Sequence, residues 1–144
     1  MRYLFLLLSV ATLVSCATPK ITSYEYLTGT RGYSLAIKVT KDSTTISETK
    51  GFSSGPIPAA SAALDCAPTN PELWKALQKG SKDIELHKIS ELESPTHRRE
   101  TDAAMFSRIV FTTTDSTYKS SSFDHGQPPV IFKTVVDSLV NLKK

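Results

Sequence analysis

Between Ser120 and Pro129 the chain reads SSSFDHGQPP, which places three serines, an aspartate and a histidine side by side. Those residue types are the parts of a hydrolase: a hydroxyl nucleophile, an imidazole base and a carboxylate that orients the base. Such a site needs the imidazole to bridge the other two in space. Neighbours along an extended chain point to opposite faces, so adjacent Asp124 and His125 argue against a triad. The same residues have structural uses. Gly126 tolerates a positive φ, Pro128 and Pro129 preset the start of a helix, and Asp124 is suited to accept backbone N–H groups as an Asx-type cap. Hydrolysis through Asp124 and His125 is therefore the least favoured reading, and no catalytic residue is expected.

A second polar set is Arg31, Arg99, Asp102 and Asp124, all at expected strand ends or turns. The guanidinium fork matches a carboxylate, so Arg99 or Arg31 is expected to pair with Asp102 or Asp124 and lock strand ends together, in preference to binding a ligand. With His125 these four form the candidate binding or structural cluster. His87, His97 and His125 lack metal-ligand spacing, and the acids Asp83, Glu85, Glu91 and Glu93 read as a solvated face. No phosphate-cradling glycine loop, nucleophile elbow or dinucleotide fingerprint occurs, so neither a metal nor a cofactor is expected.

The N-terminus carries a different chemistry. MRYLFLLLSVATLVS puts Arg2 before an apolar run that ends in small residues, the pattern of a secretory signal, and Pro19 and Lys20 follow too soon for a membrane span. Leu13, Val14, Ser15 and Cys16 resemble the lipobox of bacterial lipoproteins, in which the cysteine receives a diacylglycerol and becomes the new N-terminus. The resemblance implies a signal peptide over 1–15, lipid on Cys16, a tether over 16–24 and a globular domain over 25–144. Two or more acyl chains anchor stably, at about 0.8 kcal/mol per buried methylene. Cys66 is then left without a disulfide partner, and between small residues it is expected to be shielded. The 17 basic residues barely exceed the 14 acidic ones and form no block, which argues against nucleic acid as a partner.

The elements that must hold these residues follow from periodicity. In SLAIKV, Leu35, Ile37 and Val39 alternate as in a half-buried strand, and Lys41-Asp42-Ser43 turns it into TTISET. The stretch from Gly51 to Asp65, rich in Gly, Pro, Ser and Ala, reads as a loop. Asn70 as cap, Pro71 in the first turn and Gly80 as stop predict a helix that buries Leu73, Trp74 and Leu77. DIELHKISELESP fits a broken helix or a descending loop equally well. AMFSRIVFTT is apolar on both alternations and predicts a central strand, which turns at Asp115-Ser116 into TYKSSSF. Tyr118 and Phe123 have opposite parity, so one of them faces out or the strand bulges. PPVIFKTVVDSLVNLKK carries Ile131, Phe132, Val135, Val136, Leu139 and Leu142 as the stripe of a last helix. The expected fold is α+β: an antiparallel sheet of four to five strands with two helices packed on one face, and with Trp74, Ile109, Phe111 and Val135 inaccessible.

Residues Thr30 to Tyr33, Ser94-Pro95-Thr96 with Arg99 and Asp102-Ala103, and Ser121 to Gly126 with Pro128-Pro129 resemble a family of small lipoproteins and periplasmic proteins of Bacteroidota. The resemblance supports the fold and the envelope location and brings no assigned activity. The order of elements is also similar to that of emfourin, a small inhibitor of thermolysin-type metalloproteases. An Arg-Gly early strand, a middle helix bearing tryptophan or leucine, an Asp-aromatic opening to a strand and a proline-led last helix carry that likeness. It implies an envelope-protease inhibitor as the alternative function, without naming inhibitory residues. The principal expectation is a lipid-anchored, non-enzymatic envelope protein that binds another protein or supports the envelope. Ala17 stands where an aspartate resembles an inner-membrane retention signal, and the first acid after Cys16 is Glu25. Both favour the outer membrane with the domain facing the periplasm.

Overall fold

The computed structural model describes residues 19–50, 65–101 and 104–143. The signal peptide, Cys16, the tether before Pro19, nearly all of the Gly51 to Asp65 loop, and Asp102 lie outside the described residues. The elements are β1 (Ile21–Thr30), β2 (Tyr33–Thr40), β3 (Ser43–Lys50), β4 (Asp65–Pro68), α1 (Pro71–Gly80), β5 (Phe106–Thr113), β6 (Thr117–Lys119), β7 (Phe123–Asp124) and α2 (Lys133–Val140). Short 3₁₀ turns at Leu86–Lys88, Arg98–Thr101, Val130–Phe132 and Asn141–Lys143 link or extend them. This is an α+β fold with one open antiparallel sheet of seven strands and two helices, where the sequence predicted four to five strands. The order is β4-β3-β2-β1-β5-β6, with β7 also paired to β5.

β1 lies at the middle of this sheet. In TSYEYLT, Tyr24, Tyr26 and Thr28 alternate with Ser23, Glu25 and Leu27, and both edges of the strand are paired. Tyr24 stands between Val39 and Phe111, and Tyr26 between Ile37 and Ile109. The ordered fold thus begins before Glu25: residues 21–24, expected in the tether, are strand, and Tyr24 is fully buried. The Arg31-Gly32 pair is the two-residue turn between β1 and β2, where Gly32 takes φ 81°.

α1 starts as expected, with Asn70 Oδ1 accepting from the Glu72 N–H at 2.8 Å and Pro71 in the first turn. Trp74 and Leu77 from α1 and Val135, Val136 and Leu139 from α2 join the inward strand residues in one core. Rings interlock there: Tyr24 meets Trp74 edge-on at 5.4 Å between centroids and Phe111 edge-on at 5.8 Å, and Phe111 meets Phe132 tilted at 6.1 Å. Ile109, Phe111 and Val135 are fully buried, and Trp74 nearly so. Ile131, expected on the stripe of the last helix, is instead 41% exposed, because Val130–Phe132 winds as a 3₁₀ turn that only Phe132 directs inward.

The parity conflict of Tyr118 and Phe123 resolves as a break in the returning strand. Tyr118 pairs with Phe111 and Phe123 with Ser107, so both face the core across a ladder with one residue too many. At the break the Ile109 N–H donates to Ser120 Oγ (3.1 Å) while the Ser120 N–H donates to the Ile109 carbonyl (3.0 Å), so a hydroxyl replaces a ladder carbonyl.

The sheet has two distinct ends. Ile21, the Lys41-Asp42 turn and the Asp115-Ser116 turn share one; the Arg31-Gly32 and His125-Gly126 turns share the other. At about 3.3 Å per residue, the ten-residue β1 separates them by roughly 30 Å.

Candidate functional site

The short strand β7 sets the chemistry of the far end. Its pairing turns Phe123 into the core and Asp124 to the opposite side, under the segment 94–101. Asp124 is 1% exposed. Its Oδ2 accepts from Thr96 Oγ1 (2.5 Å) and the Arg98 N–H (2.8 Å); its Oδ1 accepts from the Arg99 N–H (2.9 Å) and Arg99 Nη1 (3.2 Å). Asp124 thus accepts backbone N–H groups, as its residue type led one to expect. Asp124 caps the 3₁₀ turn that starts at Arg98, a segment 26 residues away in sequence, and not its own turn. That turn is closed by backbone, with the Gln127 N–H on the Asp124 carbonyl (2.9 Å) and Gly126 at φ 77°.

Arg99 is buried with its partner. Nη1 also donates to the Thr96 carbonyl (2.8 Å) and Ser94 Oγ (3.2 Å), and Nε donates to Ser122 Oγ (3.3 Å). Burial alone would raise the pKa of Asp124. The hydrogen bonds from Thr96, from the N–H groups of Arg99 and Arg98 and from the guanidinium outweigh it, and hold the carboxyl well below the usual range. A carboxylate so held stays charged and acts as a staple between β7 and segment 94–101.

The serines are also occupied. Ser120 Oγ accepts from Ile109 and donates to the Ser121 carbonyl (2.7 Å), Ser121 Oγ donates to the Leu92 carbonyl, and Ser122 Oγ serves Arg99. None of the three meets His125.

His125 turns the other way, into a chain of hydroxyls on the inner face of β1 and β5. Proton counting fixes the direction of that chain, since each hydroxyl has one proton to give. Thr28 Oγ1 donates to the Phe106 carbonyl (2.9 Å), so Ser107 Oγ donates to Thr28 Oγ1 (3.0 Å) and Tyr26 Oη donates to Ser107 Oγ (2.8 Å). His125 Nδ1 must then donate to Tyr26 Oη (2.8 Å), with Thr28 Oγ1 a second acceptor at 3.2 Å. The neutral imidazole therefore carries its proton on Nδ1, and Nε2 has no hydrogen-bond partner among the described residues. Among the described residues, the hydroxyls that His125 meets are those of Tyr26 and Thr28, and both residues are buried.

A first prediction arises here. Nitrogen NMR of His125 above neutrality should show Nδ1 protonated and Nε2 bare; a proton on Nε2 would contradict the chain. Burial holds the pKa of His125 below its ordinary 6.5. A depressed histidine contributes stability that is present above the unfolded value and is lost as the pH falls through the folded one. His125→Gln should remove that loss from the melting profile below pH 6.5.

The other expected members stand apart. Arg31 is exposed in its turn and pairs with no acid among the described residues, while Asp102 and Cys16 lie outside them. Cys66, expected to be shielded, is exposed on the edge strand β4, where its four-residue strand is open to solvent throughout. His87 and His97 are exposed beside Glu85 (3.7 Å) and Glu100 (3.0 Å). Among the described residues no group of three histidine, cysteine or acidic side chains could hold a metal ion. Sequence reasoning missed Thr96, Ser94, Tyr26, Thr28 and Ser107. The period-two pattern of TSYEYLT was the available signal for Tyr26 and Thr28.

The corner is a structural lock on an α+β antiparallel-sheet scaffold, with its acid and its base committed to separate hydrogen-bond systems. Comparison of the chain with protein families, curated proteins and solved structures gives no match.

Proposed function

We propose that the protein is a lipid-anchored, non-enzymatic binding domain of the bacterial envelope, held to the outer membrane through Cys16 and facing the periplasm, with the Bacteroidota lipoprotein resemblance as its family context. The observation that carries the non-enzymatic reading is the division of Asp124 from His125. One is spent on Arg99 and segment 94–101, the other on Tyr26, and neither bonds to the other. The lipobox-like Leu13 to Cys16 supports the anchor. Among the described residues no helix is long and apolar enough to cross a membrane.

With the anchor at the Ile21 end, the opposite end of the sheet is the one presented to a partner. Phe106, on the last rung of β5 at that end, is 42% exposed, and an exposed aromatic is a fitting anchor for a protein contact. A tagged full chain, extracted from envelopes in mild detergent, should carry a partner in fixed ratio. Phe106→Ser should release it with melting unchanged. A protease as that partner would make the protein an inhibitor, a special case of the same binding role. Recovery of the chain alone, or a hydrolytic activity lost with His125→Ala, would overturn the proposal.

A further inference from the structure

Near the anchored end the residues 19–22 run as a rib between two concavities. One, of about 570 Å³, lies between this rib, the segment after α1 and β6. The other, of about 650 Å³, lies toward the start of α1. The first has an apolar wall of Ile21, Tyr24, Ile84, Leu86 and Tyr118. Two of its polar atoms satisfy each other, Tyr24 Oη with Ser81 Oγ at 2.9 Å, which leaves this part of the wall suited to hydrocarbon. Lys20 and Lys82 stand on the rim, both exposed and in no ion pair among the described residues. Of the acids beside them, Glu85 is held by Lys88 at 2.6 Å, which leaves Asp83 as the opposing charge.

The geometry points to a phospholipid site: the cavity takes one acyl chain of an anionic phospholipid from the membrane that holds the anchor, with its phosphate at Lys20 and Lys82. The inference rests on the lipid-anchor reading. Only Ala17 and Thr18 separate Cys16 from Pro19, three steps along the chain and a reach of about 10 Å at 3.3 to 3.6 Å per residue. The rim is thus kept about one Debye length from the headgroups, where its lysines are only partly screened, and tethering keeps the local lipid concentration high. The two lysines match the charge of such a headgroup, and the wall matches its chain.

Trp74, the only tryptophan, lines the second concavity and packs edge-on against Tyr24, a wall residue of the first, so an occupant of the first lies one ring away from it. The full lipidated chain would be placed in bilayers whose phosphatidylglycerol, or in parallel phosphatidylcholine, carries brominated acyl chains. Trp74 fluorescence should be quenched severalfold more in the anionic bilayer, and Lys20→Glu with Lys82→Glu should remove the difference without changing the melting temperature. Equal quenching in both bilayers, or quenching unaffected by the double substitution, would overturn the site, as would displacement of the brominated lipid by an apolar peptide alone. Labelled palmitate on Cys16 is read on the same preparation. No label, with quenching still selective for phosphatidylglycerol on added vesicles, would sink the anchor and keep the site; label without selective quenching would do the reverse.

Discussion

Asp124→Ala should be the most damaging single polar substitution in the domain, with a loss of about 3 to 5 kcal/mol, the usual cost of removing one partner of a buried ion pair. The remaining Arg99 would be a cation in a 9%-exposed side chain, deprived of its counter-charge. Three further donors, Thr96 Oγ1 and the N–H groups of Arg98 and Arg99, would lose their acceptor at the same time. Against a total stability of roughly 5 to 15 kcal/mol, such a variant is marginal at 25 °C. The double variant Arg99→Ala with Asp124→Ala should lose less than the sum of the two single losses, since the second change removes a group that the first has already orphaned. Additive losses in denaturant melts would show that the pair is not coupled.

The same carboxylate sets the acid limit of the fold. Its folded pKa is depressed, so its contribution is fully present above the unfolded value of about 3.9 and is lost as the pH falls from there toward the folded value. Asp124→Asn should flatten the pH profile below about pH 4. The loss due to His125 begins higher, as the pH falls below 6.5, so its onset is separable from that of Asp124 in one titration.

Phe111→Ala should be of comparable size, again about 3 to 5 kcal/mol, through a different cause. Phe111 is fully buried in an inner strand, opposite Tyr24 on one side and Tyr118 on the other, with the ring of Phe132 tilted against it. Truncation leaves a cavity among rings whose backbones are fixed by the sheet and by α2, so little collapse can fill it. A melting temperature near that of the wild type would place β5 at the periphery and contradict the packing described.

Which parts of this fold were legible depended on how local the signal was. α1 could be read at both ends because Asn70, Pro71 and Gly80 act within one turn, and β2 because Leu35, Ile37 and Val39 alternate on their own. β1 was hidden by its composition. Ser, Thr and Glu on its outer side made a central strand look like linker, although Tyr24, Tyr26 and Thr28 kept the period of two. β4 has four residues and no apolar run, so its pairing with β3 decides its state and exposes Cys66. The break between Tyr118 and Phe123 was visible as a parity conflict, but its solution through the Ser120 hydroxyl was not. In the corner, residue types named Arg99 and Asp124 as a possible pair. The pairing of Arg99 with Asp124, and the turning of His125 toward Tyr26, follow from the register of β7 on β5, a contact between distant segments that local patterns do not encode.

The account stands or falls on Cys16. Cells expressing the chain would be grown with radiolabelled palmitate and their envelopes separated from soluble fractions. The wild-type chain should carry label and sediment with the outer membrane, and Cys16→Ala should carry none and either leave the membrane or keep its signal peptide. Label retained on Cys16→Ala, or an unlabelled wild-type chain in the soluble fraction, would contradict the anchor and the proposed function that depends on it.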